Sequence, residues 1–143
     1  MKVAIGSDHA GFEYKAKIIE YLKGKGIEVE DFGAFSTDSV DYPDFAHPVS
    51  ESVENKNADY GILLCGSGQG VSMSANKHQG IRCALCWNSD IARLSRQHNN
   101  ANIIAFPARF VAYEYAIEMI EVFFNTQYEG GRHEKRVNKI SCS

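Results

Sequence analysis

Short apolar runs alternate along the chain with segments in which apolar residues recur at helical spacing. This alternation is typical of a parallel sheet whose strands are joined by helices. The run Tyr60–Cys65 is apolar at almost every position, as expected for a central strand covered on both faces. Four further strands are predicted in runs that are shorter or less uniform: Lys2–Gly6, Glu28–Phe32, Ile81–Trp87 and Ala101–Phe106.

The same pattern predicts five helices, which cover about 11–23, 43–53, 71–78, 89–98 and 109–124. The first is expected to bury Phe12, Ala16, Ile19 and Leu22, and the second Phe45, Ala46, Val49 and Val53. Pro43 starts the second helix, Pro48 is expected to kink it or delay its start, and Ser89 is expected to cap the fourth. The prediction is a three-layer α/β/α sandwich on about five parallel strands, with ligands at the carboxyl ends of the strands.

Length and composition are those of one soluble domain. A chain of 143 residues with 44% hydrophobic and 23% charged residues can build a single core, and no repeat or linker divides 1–143. A polar tail begins at about residue 126. The net charge of -3 excludes a broad basic surface for nucleic acid, so an anionic substrate would need a local group of arginines.

The compartment is inferred from what the sequence lacks. No secretory signal pattern is visible at Met1, and no apolar run is long enough to cross a membrane. Four cysteines are too few for a disulfide framework in a domain of this size. We therefore expect a cytoplasmic protein with reduced thiols.

The segment after the central strand is the strongest local feature. Cys65 is followed by GSGQG, in which Gly66, Gly68 and Gly70 allow a ligand to approach the backbone closely. The next helix can direct free N–H groups at negative charge, which would favour a thiolate. The alternative is that Cys65 is simply the last buried residue of a strand that ends in a tight turn.

Two other functions for this loop are disfavoured by spacing. A dinucleotide-binding loop requires G-x-G-x-x-G after the first strand, whereas this loop has G-x-G-x-G after the third. A cysteine phosphatase loop requires an arginine six positions after the cysteine, and that position is Val71.

Other polar residues permit two interpretations each. His98 ends a helix, where a cationic ring is favourable for the helix dipole alone, and His9 can be a simple turn residue. Arg132 and Arg136 would share one face of a helix, which suits either a solvated surface or a phosphate site. Arg109 would ordinarily be a surface residue at a helix start.

The remaining cysteines suggest no chemistry. Cys83 and Cys86 form a C-x-x-C within an apolar run, but no second ligand pair is present. Core packing is therefore favoured over a zinc site or a redox dithiol. Cys142 is expected to be an exposed tail residue.

Together, several segments resemble the type B ribose-5-phosphate isomerases, a family that also includes galactose-6-phosphate isomerase subunits. The matching stretches, in chain order, are GSDHAGF, DYPDFA, LLCGSGQG with SANK downstream, GIRCAL, SRQHNNAN and QYEGGRHEKRV. The resemblance implies a Rossmann-like sandwich and a homodimer whose active sites lie across the subunit interface. It implies no cofactor and no metal, and it leaves open whether dimers pair into tetramers.

The resemblance also assigns roles by position. Cys65 is the base that takes the proton from C2, Ser67 helps to move the proton between O1 and O2, and His98 opens the furanose ring. Residues implied to hold the sugar are Asp8, His9, Tyr42, Gly66, Gly68, Gly70 and Asn99. Residues implied to hold the phosphate are His9, Arg109, Arg132 and Arg136. A subgroup with a glutamate base would place it at position 71, where this chain has valine.

The implied activity is the interconversion of ribose 5-phosphate and ribulose 5-phosphate through a cis-enediolate. The SRQHNNAN stretch favours this pentose over a phosphorylated hexose such as allose or galactose 6-phosphate, which is the alternative within enzymes. A non-enzymatic phosphate- or nucleotide-binding module is the alternative outside them. The tail from about 126 to 143 is expected to pack on the partner subunit.

Overall fold

The computed structural model describes residues 1–142, and this part of the chain contains five strands and six α-helices. The strands are β1 (Lys2–Ser7), β2 (Glu28–Asp31), β3 (Tyr60–Cys65), β4 (Cys83–Leu85) and β5 (Ile103–Pro107). The helices are α1 (Phe12–Gly24), α2 (Pro43–Glu54), α3 (Gln69–Ala75), α4 (Ser89–Asn99), α5 (Tyr113–Asn125) and α6 (Glu134–Val137). Ser143, the last residue of the predicted tail, lies outside the described residues.

The strands form one parallel sheet in the order β2-β1-β3-β5-β4. The central strand β3 is buried at every position after Tyr60, as its apolar sequence requires. The chain moves from β1 outward to β2 and then crosses back to β3, so the direction of winding reverses between β1 and β3. In open α/β sheets ligands bind in the crevice outside the carboxyl ends of two such strands.

Helices cover both faces of the sheet, which confirms the three-layer sandwich. One core cluster lies between the sheet and α1, α4 and α5, and includes Ile18, Ala92 and Phe123. The other lies between the sheet and α2 and α3, and includes Val49 and Val71. Nowhere in residues 1–142 does a helix combine the length and apolar character needed to cross a membrane.

The predicted buried face of α1 is partly wrong. Ala16 is exposed, and Phe12 and Ile19 are only half-buried. The helix instead buries Lys15, Ile18 and Leu22. A lysine can be buried here because its ammonium donates to both carboxylate oxygens of Asp31, at 2.7 and 2.9 Å.

The predicted cap of the fourth helix and the predicted start of the fifth are also wrong. The side chain that caps α4 belongs to Asn88, whose Oδ1 accepts the N–H of Ile91 at 2.9 Å, and Ser89 is the first residue of the helix. The fifth helix begins at Tyr113, so Arg109 lies in the turn after β5 and not at a helix start.

Other bounds also differ from the predicted ones, at β4 because apolar residues continue past the hydrogen-bonded part of the strand. β4 is only Cys83–Leu85, which is shorter than the predicted 81–87, and α3 ends at Ala75 and not near His78. The second helix starts at Pro43 and continues through Pro48, so the expected late start is wrong. Ala46, Val49 and Val53 are buried as predicted, and Phe45 is half-buried.

Candidate active site

A cavity of about 510 Å³ lies at the carboxyl edge of the sheet, between the loops that follow β1 and β3. Its wall combines predicted residues from four segments: Asp8, His9, Tyr42, Cys65, Gly66, Ser67, Gly70 and Arg109. Ala10, Gln69, Met73 and Phe110 complete it and were not predicted. The fold therefore brings eight of the thirteen predicted site residues to one place.

The thiol of Cys65 is held at the end of β3 by the loop that follows it. The backbone N–H of Gly68 donates to Sγ at 3.2 Å, and the residue is buried apart from its contact with the cavity. This hydrogen bond fixes the position of the sulfur in the wall of the cavity. The strand end and the glycine loop thus present a sulfur that can act as a base.

Gly68, which does not line the cavity itself, sets the path of this loop. Its φ of +76° is in the left-handed region, which side chains other than hydrogen disfavour. A Cβ at this position would lie 2.5 Å from Leu85 Cδ1 and 3.0 Å from the backbone carbon of Phe106. Glycine is therefore required on two independent grounds.

Asp8 and His9 are fixed by the turn after β1. The carboxylate of Asp8 accepts the N–H groups of Ala10 and Gly11 at 2.9 and 3.2 Å, which caps the short 3₁₀ turn His9–Gly11. Nδ1 of His9 accepts the N–H of Val40 at 3.3 Å, which places the proton of a neutral ring on Nε2. His9 can therefore donate from Nε2 to an anion in the cavity.

Three exposed side chains line the mouth of the cavity. Tyr42, at the start of α2, packs its ring against Gly70 so closely that a Cβ there would lie 2.4 Å from the ring. The guanidinium of Arg109 lies against Gly66 and offers a fork of donors for a phosphate. Ser67 is exposed, and its hydroxyl accepts the N–H of Gln69 at 3.3 Å.

His98 and Asn99 do not line this cavity. Because α4 runs back from the end of β4 to the start of β5, its last residues lie near the amino edge of the sheet. Asn102, three residues after α4 ends, hydrogen-bonds to Arg82 just before β4 and to Gly61 at the start of β3. One chain thus places His98 and Cys65 at opposite edges of its sheet.

Arg132 and Arg136 also lie outside the cavity, in the tail. They do not share one regular helix, because Arg132 belongs to the 3₁₀ turn Gly131–His133 and Arg136 to α6. Both are exposed, Arg136 donates to the backbone oxygen of Arg132 at 2.7 Å, and neither forms an ion pair within residues 1–142.

The tail brings two further residues to His98. Its ring stacks on that of His133 with a centroid distance of 4.2 Å and an interplanar angle of 14°. Oε1 of Glu129 lies 3.8 Å from His98 Nε2 and 3.5 Å from His133 Nε2. The sequence contained both residues in the EGGRH stretch, but no spacing rule relates them to a histidine some thirty positions earlier in the chain.

This trio is the one group of potential metal ligands in the described part of the chain, with ligand atoms within 4.8 Å of one another. A zinc ion bound at about 2.1 Å would have to lie in the planes of both imidazole rings at once. Planes that are nearly parallel do not meet near the nitrogens, so the rings are not arranged to hold one ion.

The C-x-x-C cysteines are packing residues, as predicted. Cys86 is buried, and Cys83 is a half-buried residue whose thiol faces Ser72 of α3. Burial raises the pKa of both thiols to about 12. The thiolate that redox or metal chemistry needs is therefore strongly disfavoured at both positions.

Comparison with known proteins agrees with the fold. The sequence profile of the family described as Ribose/Galactose Isomerase matches residues 3–140. Ribose-5-phosphate isomerase B of Escherichia coli (strain K12) is 44% identical over 141 residues, which covers 99% of this chain and 95% of that protein.

Solved structures of related proteins also match this chain, both in sequence and in fold. A ribose 5-phosphate isomerase from Thermotoga maritima is 54% identical with a TM-score of 0.96, and the alignment covers 98% of this chain and 97% of that one. Ribose-5-phosphate isomerase B from Mycoplasma genitalium, solved with bound ribulose-5-phosphate, is 43% identical with a TM-score of 0.93, covering 97% and 93%.

These similarities and the crevice at the strand ends define an isomerase of the doubly wound α/β class. More narrowly, the chain belongs to the ribose/galactose isomerase family, whose members include the type B ribose-5-phosphate isomerases.

Proposed function

We propose that this protein interconverts ribose 5-phosphate and ribulose 5-phosphate, with Cys65 as the base that moves a proton between C2 and C1. The observation that carries this proposal is the Cys65 thiol, which faces a cavity of sugar size and accepts an N–H from its own glycine loop. The name and bound ligand of the Mycoplasma genitalium structure support the choice of substrate.

The other cavity residues fit the remaining demands of the reaction. Asp8 and Tyr42 can hold sugar hydroxyls, while Nε2 of His9 and the guanidinium of Arg109 can hold the phosphate. Removal of the C2 proton leaves negative charge on O1 and O2 of the enediolate. Ser67 is placed to move a proton between these oxygens, and free amides of the loop stabilise the charge.

We further propose that the enzyme is a homodimer in which each active site uses both subunits. Within one chain, His98, Asn99, Arg132 and Arg136 lie away from the cavity that holds Cys65. A second copy can supply them if its α4 end and tail pack over the mouth of the cavity. The exposed Met73, Trp87 and Phe110 at this mouth form an apolar surface of the kind that a partner covers.

The tail is also anchored to its own chain. The N–H of Glu129 donates to the carbonyl oxygen of Gln97, and the N–H of Cys142 to Oε1 of Gln79. Arg132 and Arg136, between these anchors, remain exposed and available to a partner.

The four cysteines are free thiols, which supports a cytoplasmic location with reduced cysteines.

Replacement of the thiol tests the proposed base. Cys65→Ala is expected to lower kcat for ribose 5-phosphate by about 10²–10⁴ or more while the fold is retained, because a positioned proton-transfer group contributes that much. The measurement is a coupled assay for ribulose 5-phosphate, repeated in deuterium oxide to detect label at C1 of the product. Cys142→Ala, which removes an exposed tail thiol, is the matched control. Wild-type activity in Cys65→Ala would rule out the cysteine base.

A phosphorylated hexose is the alternative substrate, since the family name includes galactose. The ratio of kcat/KM for ribose 5-phosphate to that for allose 6-phosphate and galactose 6-phosphate separates the two. A higher kcat/KM for either hexose would replace the pentose in this proposal.

A further inference from the structure

The conformation of the tail places two side chains on one imidazole. Gly130 and Gly131 both have positive φ, at +65° and +55°, and turn the chain back on itself. The backbone N–H of Glu129, just before this turn, donates to Gln97 at 3.0 Å, which fixes the turn beside the end of α4. Glu129 and His133 therefore reach His98 from either side of the same turn.

The two contacts restrict different motions of the His98 ring. Stacking on His133, at 4.2 Å and 14°, fixes the plane of the ring. The Glu129 carboxylate, 3.8 Å from Nε2, is beyond hydrogen-bond distance but favours by charge a ring orientation that turns Nε2 toward the acid.

We propose that Glu129 and His133 are positioning residues that hold the His98 imidazole for opening the sugar ring, an inference that rests on the proposed function. Opening moves one proton from the O1 hydroxyl to the ring oxygen O4. The C1–O4 bond breaks and the C1=O1 bond forms, with no net gain or loss of protons or electrons. A group that accepts the first proton and returns it must be held at a fixed distance from both oxygens.

The positioning role of Glu129 and His133 can be measured because only the conversion of ribose 5-phosphate to ribulose 5-phosphate needs ring opening by the enzyme. Ribose 5-phosphate enters as a furanose, whereas ribulose 5-phosphate is an open-chain ketose. In the reverse direction the enzyme can release the open-chain aldose, which closes in solution. A defect confined to ring opening therefore slows the forward reaction and spares the consumption of ribulose 5-phosphate.

The experiment compares Glu129→Gln and His133→Ala with wild type in both directions. Each is expected to lower kcat for ribose 5-phosphate by about 10–100-fold, less than loss of a whole acid–base group, with consumption of ribulose 5-phosphate within about twofold of wild type. Glu129→Asp and His133→Phe keep the charge and the stacking ring respectively, and are expected to restore part of the forward rate. The matched control is Glu134→Gln, an exposed acid next to His133.

Combination with His98→Asn tests whether the two residues act through His98. The double variant His98→Asn/Glu129→Gln is expected to be no slower than His98→Asn alone. Wild-type forward rates in Glu129→Gln and His133→Ala, equal losses in both directions, or losses that add to that of His98→Asn would each overturn the inference. A wild-type protein without isomerase activity in either direction would instead overturn the proposed function.

Discussion

At the scale of single residues, the geometry of the site depends on a backbone conformation at Gly68 that only glycine adopts without strain. The N–H of Gly68 reaches Cys65 Sγ because Gly68 adopts a positive φ between β3 and α3. The identity of this residue therefore controls the loop geometry that directs an N–H at the Cys65 sulfur, although Gly68 contributes no side chain.

Gly68→Ala is expected to destabilise the fold and to reduce activity strongly. The left-handed conformation alone costs about 1–2 kcal/mol with a side chain. The new methyl group must also displace Leu85 or the backbone at Phe106. Denaturant unfolding and kcat measure the two effects. Gly24→Ala is the control, because nothing lies within 4 Å of a Cβ there, and a stability change as large as that of Gly68→Ala would contradict this account.

At the scale of elements, one buried ion pair connects α1 to β2. Lys15 is 2% exposed and Asp31 31% exposed, so the pair is shielded from solvent mainly on the lysine side. Oδ1 of Asp31 also accepts the N–H of Gly33 at 2.9 Å, which ties the following loop to the same carboxylate. The pair therefore fixes the start of the long segment that leads to Tyr42.

Lys15→Ala is expected to lower the free energy of unfolding by about 1–3 kcal/mol, because it leaves the Asp31 carboxylate without its cation and opens space in the core. Lys23→Ala, at an exposed position of the same helix, is expected to change it by less than about 0.5 kcal/mol. Urea denaturation measures both. Equal effects of the two substitutions would show that the ion pair contributes nothing specific.

At the scale of the whole molecule, the two groups of site residues lie at opposite edges of one subunit. The proposed homodimer would bring the two groups together, so its activity would depend on its assembly. In the proposed homodimer, the substitutions Cys65→Ala and His98→Asn would remove contributions of different subunits to one site.

Mixing the two impaired variants is therefore expected to restore activity on ribose 5-phosphate. Each mixed dimer holds one intact site of two, which predicts about half of wild-type activity per isolated mixed dimer. The assay is run on mixed dimers isolated with two affinity tags, with each variant alone as control. Absence of recovery in verified mixed dimers would show that Cys65 and His98 act within one subunit.

Much of the architecture follows from local sequence, because burial on a parallel sheet imposes its own periodicity. The apolar run of β3 and the glycines after Cys65 predict the central strand, the loop and the edge at which a ligand binds. Asp8 and His9 directly follow the first predicted strand. Because the carboxyl ends of parallel strands lie at one edge of the sheet, the sequence also predicts these two residues at the edge that holds Cys65.

Tertiary structure decided what depends on contacts between distant segments. The apolar periodicity of α1 does not predict that Lys15 is buried. A pattern of apolar residues cannot show that the Asp31 carboxylate, on β2, lies within hydrogen-bond distance of the lysine. The direction of α4 carries His98 away from Cys65, and the turn at Gly130 brings Glu129 and His133 to it. Local chemistry thus indicates which residues are candidates for function, and chain topology determines which of them lie together in one chain.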